Sequence, residues 1–199
     1  MLLNRFETAL MNNPLRAAIQ RGFEAKKLLR LGGPVPDGRA LEVGCGRGIG
    51  TQLILERFRA GTVDAFDLDP AMVALAQKRL APYAGRTRLW VGDVEAIRAA
   101  NDTYDAVFDF GIVHHVPAWR RALLEIFRVL RPGGRFYAEE VLRALLQRGV
   151  VRRYLDHPRA DRFDRAGFEE SLSDVGFRIV ASESLGQSFG WFVADKPLR

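Results

Sequence analysis

Between residues 39 and 140 the chain runs through five short β-branched or apolar segments separated by helical patterns and turns. This order predicts a parallel sheet whose crossovers are helices, an α/β architecture rather than a bundle or a sandwich. Strands are expected at 40–44, 62–67, 87–91, 104–109 and 134–140, and helices at 49–59, 70–81, 117–130 and 165–175. Within 117–130, Leu123, Leu124, Phe127 and Leu130 fall at helical spacing and predict one buried face. The stretch RPGGR at 131–135 supplies a proline and two glycines to stop that helix. Two last runs, FRIVASESL and SFGWFVADK, predict an antiparallel strand pair at one end of the sheet. The organisation expected is one domain over 1–199. It has an N-terminal helical cap (1–38), a core (39–140), a lid insertion (141–164), and a C-terminal helix with the strand pair (165–199).

The turn after the first strand reads LEVGCGRGIG, with glycines at 44, 46, 48 and 50. Glycines this dense beside a strand let a backbone approach a ligand closely or simply turn tightly. The dinucleotide spacing G-x-G-x-x-G fails in both registers: its last glycine falls on Ile49 or on Thr51. The phosphate loop G-x-x-x-x-G-K-S/T fails as well, because no Gly-Lys pair exists. What fits is acid-x-G-x-G-x-G, formed by Glu42, Gly44, Gly46 and Gly48. A loop without the phosphate-binding lysine suits an uncharged sugar and a zwitterionic tail better than a polyphosphate.

The second strand ends in the acids of AFDLDPAMV. Asp69 directly before Pro70 predicts an N-cap followed by proline at the first helical position. Asp64 lies inside the strand and is expected to face away from its tip. Asp67 is left at the strand's carboxyl end, about 20 residues past the glycine loop, placed to accept both hydroxyls of a ribose. The third strand ends in WVGDV, so Asp93 emerges at the same edge and can accept from an exocyclic amine such as that of adenine. The alternative for Asp93 is capping of the segment that follows.

These motifs occur in the order found in class I S-adenosylmethionine-dependent methyltransferases, and the chain resembles that family from about Arg39 to Glu140. LEVGCGRG is similar to the family's first motif, AFDLDPAMV to its ribose motif and VGDV to its adenine motif. YDAVFDFGIVHHVPAW and LLEIFRVLRPGGRFYAEE resemble the segments around strands four and five, closest to the ubiquinone- and menaquinone-biosynthesis subgroup. The resemblance implies a Rossmann-like seven-stranded sheet in the order 3-2-1-4-5-7-6, with strand 7 antiparallel and helices on both faces. It implies S-adenosyl-L-methionine as cofactor, with Glu42, Gly44, Cys45, Gly46 and Gly48 on the methionine side. Asp67 and Leu68 would meet the ribose, Asp93 and Val94 the adenine, and Met72 the adenosine. Asp109 and Phe110 would flank the methionine and the methyl. Asp-Phe-Gly at 109–111 departs from the small or polar residues common there. No Asp/Asn-Pro-Pro-Tyr motif follows strand four, which argues against methylation of base or glutamine amines.

A sulfonium methyl is intrinsically electrophilic, so such an enzyme mainly aligns its reactants, and a base is needed only for an acceptor that must lose a proton. The candidates are His114 and His115, then Glu139 and Glu140, with Trp119, Tyr154 and His157 behind them. No cluster has metal-ligand spacing, and no metal is expected. The net charge of +6 is concentrated in two places. Residues 1–40 and residues 143–165 each carry seven Arg or Lys against three acids, a net +4 apiece, interleaved with apolar side chains. The resemblance implies that both segments border the acceptor; a basic and apolar lid suits a small anionic, lipid-like or quinone-like acceptor with peripheral membrane contact, and it equally suits a solvated helix surface that merely packs on the sheet. An RNA or protein methyltransferase is the rival, though no nucleic-acid-binding module is recognisable. A non-catalytic S-adenosylmethionine-binding protein is the other. One cysteine, no apolar run long enough to span a bilayer and no leader-like segment predict a cytoplasmic protein.

Overall fold

The computed structural model describes residues 24–146 and 161–198. The arginine-rich segment beyond Leu146, with Tyr154 and His157, and the helices expected before residue 24 lie outside the described residues. Seven strands form one sheet in the order β3-β2-β1-β4-β5-β7-β6. They are β1 (Arg39–Val43), β2 (Thr62–Asp67), β3 (Thr87–Val91), β4 (Tyr104–Phe110), β5 (Leu130–Val141), β6 (Arg178–Leu185) and β7 (Phe189–Asp195). β1 pairs in parallel with both β2 and β4, and β3 and β5 extend the parallel part. β7 runs antiparallel between β5 and β6. The expected strand order and the antiparallel seventh strand are therefore found.

The helices are α1 (Ala25–Gly32), α2 (Ile49–Glu56), α3 (Pro70–Arg79), α4 (Trp119–Val129), the short α5 (Arg143–Leu146) and α6 (Arg165–Val175). Alternation along the strands splits the core between the two faces of the sheet. Leu41, Val43, Val107, Phe136, Ala138 and Phe192 join the buried residues of α4 and α6 on one face. Ala40, Val63, Phe108, Tyr137, Trp191 and Val193 join α1 and α2 on the other. Helix α3 covers a smaller cluster with Cys45 and Ala65. On the first face an aromatic chain links the layers: Trp119 to Phe163 (4.8 Å), Phe163 to Phe168 (4.6 Å) and Phe168 to Phe192 (4.7 Å). The Trp119 indole also donates to the Asp161 carbonyl at 2.9 Å, so this candidate base is a buried anchor.

Two expectations need correction. Leu124 is 55% exposed, and the buried face of α4 is instead Trp119, Ala122, Leu123, Ile126 and Val129. The face is centred one position away because Trp119, at the first helical turn, sets which side points at the sheet. Second, RPGG is not a free loop ending a helix that reaches Leu130. Helix α4 stops at Val129, and Leu130 already pairs with Tyr104 before the register resumes at Ala106 and Arg135. Lys196, one of only four lysines, makes this junction possible: its buried ammonium donates to the carbonyls of Phe127 (2.9 Å) and Leu130 (2.7 Å) and pairs with Asp102 at 2.6 Å. It thereby satisfies carbonyls that the end of α4 would leave open.

Asp64 faces away from the strand tip as expected. Its Oδ2 accepts from the Tyr104 hydroxyl at 2.9 Å and from Arg39 at 2.6 Å. Truncation strands both donors, so Asp64→Ala should lower unfolding free energy by about 2–3 kcal/mol. Urea titration of the variant beside the parent measures it; a loss below about 0.5 kcal/mol would mean that water replaces the carboxylate.

Candidate functional site

The carboxyl ends of β1, β2, β3 and β4 open onto one cleft, the place where parallel sheets bind ligands. It is lined by Gly44, Phe66, Asp67, Leu68, Gly92, Asp93, Val94, Glu95, Gly111, Ile112, His115 and Val116. It encloses about 650 Å³, open mouth included. Most of the wall is apolar, and the acids enter from the strand ends.

The glycine loop is held in shape by Asp67. The Gly46 N–H donates to Asp67 Oδ2 at 2.8 Å, and the Asp69 N–H donates to Oδ1 at 2.9 Å. Partial burial pushes the Asp67 carboxyl up, and those two backbone bonds oppose the rise. Asp69 caps α3 through the Ala71 N–H at 2.8 Å, with Pro70 next, as the sequence predicts. Gly44 lies at φ +69°, and a Cβ there would meet Ile112 Cγ2 at 2.5 Å. The loop after β1 therefore packs directly on the loop after β4. Cys45 is buried with its N–H on the Phe66 carbonyl (2.9 Å), and burial pushes its thiol well up, so it is an unreactive packing group.

Of the candidate ligand residues, the structure places Gly44, Asp67, Leu68, Asp93 and Val94 in the cleft wall. Asp93 does not cap a helix: Oδ1 accepts the Glu95 N–H at 2.9 Å in a turn. Gly46 and Gly48 shape the loop behind the wall, Gly48 as the left-handed N-cap of α2. Met72, in the first turn of α3, is half-buried and outside the wall. Glu42 and Phe110 sit beneath the floor. Glu42 is almost fully buried, takes a hydrogen bond from the Thr51 hydroxyl and packs on Gly50, where a Cβ would collide with the carboxylate. Burial pushes Glu42 up to about 8; the Thr51 bond opposes this, and Asp67 and Asp109 add to it.

Sequence reasoning missed Phe66, Gly92, Glu95, Gly111, Ile112 and Val116. Gly92 and Gly111 stand directly past strand ends, a readable signal; the apolar positions carry none, because core and cleft draw on the same side chains.

The two histidines occupy different places. His115 forms part of the cleft wall. His114 points behind it: its Nδ1 lies 2.5 Å from Glu140 Oε2, and its ring centroid lies 4.1 Å from that of His115. Glu140 also accepts the Val113 N–H at 2.9 Å and the His114 N–H at 3.2 Å, and the Arg162 guanidinium donates to the His114 carbonyl. Asp109 Oδ1 accepts the Ile112 N–H at 2.8 Å. Glu139 and Glu140 are both buried on opposite faces of β5. Among the described residues no group of three or more His, Cys, Asp or Glu could hold a metal ion, and no helix is long and apolar enough to cross a membrane.

Residues 40–134 match the profile of the methyltransferase domain family. The chain is 37% identical over 97 residues to the phthiotriol/phenolphthiotriol dimycocerosates methyltransferase of Mycobacterium leprae, covering 48% of this chain and 35% of that one. It is 31% identical over 144 residues to the malonyl-[acyl-carrier protein] O-methyltransferase of Halorhodospira halophila, covering 70% of this chain and 48% of that one. It thus spans less than half the length of either relative. A methyltransferase structure from Aquifex aeolicus superposes with a TM-score of 0.75 at 18% identity, covering 96% of this chain and 97% of that one. A Haloferax volcanii complex of the Trm112 methyltransferase activator and a putative methyltransferase contains a chain that superposes at 0.80 and 17% identity, with 99% and 100% covered.

The raised Glu42 carboxyl makes stability depend on pH. The folded chain holds the Glu42 proton to about pH 8, whereas an unfolded chain releases it near 4.5. Between those values the native state binds more protons, so its stability falls as pH rises. Ligand-free protein should melt lower at about pH 8.5 than at about pH 5.5. Glu42→Gln should flatten that slope and raise the pH 8.5 melting temperature by ~3 °C or more. A slope unchanged by the substitution would assign the effect to another group.

Proposed function

We propose that this protein, whose residues 40–134 match the methyltransferase domain family, is a class I S-adenosyl-L-methionine-dependent enzyme that methylates a small acceptor of acyl or lipid character. The observation that carries the reading is the cleft at the ends of β1 to β4, where Asp67 and Asp93 stand at adjacent strand tips between apolar walls. The residues present fit the cofactor. Asp67, already shaped to accept two donors, would exchange backbone partners for ribose hydroxyls. Phe66, Leu68, Val94 and Ile112 offer flat apolar contact for a purine, with Asp93 at hand for its amine. Glycines at 44, 92 and 111 keep bare backbone along the wall.

When bound, the cofactor supplies an electrophilic methyl on a sulfonium, so the chain's main task is alignment and exclusion of water. The loops after β1 and β4 do this by packing on each other through Gly44 and Ile112. Where the acceptor atom must lose a proton, His115 in the cleft wall is the group placed to take it, with the tilted His114 ring in contact behind it. An acyl or lipid acceptor is supported by relatives whose names specify a malonyl-acyl carrier protein and a dimycocerosate. It is supported also by the two basic, apolar-interleaved segments at 1–40 and 143–165, which would meet an anionic or membrane-held acceptor.

Four outcomes test this reading. Asp67→Ala should weaken S-adenosylmethionine binding by about 1.5–3 kcal/mol in calorimetry; unchanged affinity would misplace the ribose. For an acceptor that loses a proton, His115→Asn should cut kcat about 10²-fold; an unaltered kcat would leave alignment alone as the mechanism. Incubation of cell extract with methyl-labelled cofactor should label a lipid or acyl species. Replacing Arg148, Arg152 and Arg153 with glutamine should then raise the acceptor KM and abolish binding to anionic vesicles. Binding to tRNA without vesicle binding would favour the RNA reading instead.

A further inference from the structure

On the α4 side of the sheet, behind the cleft, two carboxyl side chains meet with nothing but a proton to join them. Asp109, on β4, and Glu140, on β5, are both fully buried. One oxygen of Asp109 is bonded to the Ile112 N–H, while the other, Oδ2, is buried with no donor among the described residues. Its carboxyl neighbour is Glu140, whose own bonds come from the Val113 N–H, the His114 N–H and the His114 ring. A buried acceptor lacking a donor beside an acid that has three is resolved when the first is a carboxylic acid donating to the second. Two adjacent buried carboxylates cannot both ionise.

We propose that Asp109 and Glu140 hold one proton between them, and that Glu140, kept anionic by its three donors, is the positioning residue of the histidine pair. It ties the turn at Val113–His115 to β5 and draws the Nδ1 edge of His114 toward itself. The His114 ring, its centroid 4.1 Å from that of His115 and its plane tilted by 38°, in turn fixes the face that His115 shows to the cleft. Burial, with the charge of the neighbouring acid, drives the Asp109 carboxyl well up, and burial drives Glu140 up against the pull of its backbone donors. The other charged groups around the pair are Glu139 beside Glu140 on β5, His115 on the turn, and Arg162. The Arg162 guanidinium holds the His114 carbonyl and its charge acts on Glu140, with Asp161 next to it in the chain. The proposal uses the reading of the cleft as the transfer site only for its kinetic consequence; the proton and the imidazole geometry stand without it.

Two spectroscopic readouts test it on the whole ligand-free chain. The infrared difference spectrum of parent minus Asp109→Asn at about pH 7.5 should contain a protonated-carboxyl band from one residue. The subtraction cancels other buried acids such as Glu42. A difference made only of carboxylate bands overturns the shared proton. The chain has only three histidines, so nitrogen NMR of ring-labelled protein can resolve His114. Its Nδ1 should be protonated in the parent and lose that preference in Glu140→Gln; an unchanged imidazole spectrum overturns the positioning role. Glu140→Gln should also reduce kcat at least tenfold while the KM for S-adenosylmethionine changes less than twofold. Should that variant fail to fold, Glu140→Asp and the parent spectra decide: loss of Nδ1 protonation in the parent would itself refute the arrangement. Intact spectroscopic signatures with no methyl transfer would leave this proposal standing and remove the function instead.

Discussion

Parallel pairing at the centre of the sheet is the constraint on which the rest depends. Because β1 lies in register between β2 and β4, with β3 and β5 outside them, the strands that carry the motifs all end at one edge. Four loops must share that edge, and they fit together because Gly44 has no side chain where Ile112 comes in. A residue with a Cβ would be strained at φ +69° and would separate the loop after β1 from the loop after β4. The cleft is thus a by-product of strand direction, and the missing methyl of Gly44 lets the two loops close on each other.

The same edge concentrates buried acids, and the two faces of the sheet keep them apart. Glu42, on the α2 face, relies on the Thr51 hydroxyl and the room left by Gly50. Asp109 and Glu140, on the α4 face, rely on the backbone of the turn at Val113–His115 and on each other. Buried carboxyls are costly, so their presence at a strand edge rather than in mid-sheet fits a site whose electrostatics are set before a ligand arrives. Asp67 differs: it is only partly buried, and it accepts from the backbone N–H groups of Gly46 and Asp69.

At the opposite end the problem is chain continuity. Helix α4 passes into β5 without a spacer, leaving carbonyls that Lys196 satisfies from beyond β7. The antiparallel pair β6–β7 therefore does more than extend the sheet: the residue just past β7 closes the α4–β5 junction.

Much of this was fixed by local sequence. Short apolar runs and helical patterns set the five core strands and the order of elements, because strands buried on both faces must be apolar throughout. The cap at Asp69-Pro70 and the tip position of Asp67 follow from chemistry within a few residues. What adjacency in sequence could not decide was which of two neighbouring side chains faces the cleft. His114 and His115 are equivalent as letters; their fates separate because Glu140, 26 residues on, captures the first ring. Likewise Leu124 looked like core, and the orientation that Trp119 gives to α4 turned it to solvent. Identity of type is local, but burial and hydrogen-bond partners belong to side chains that meet only once the sheet has closed.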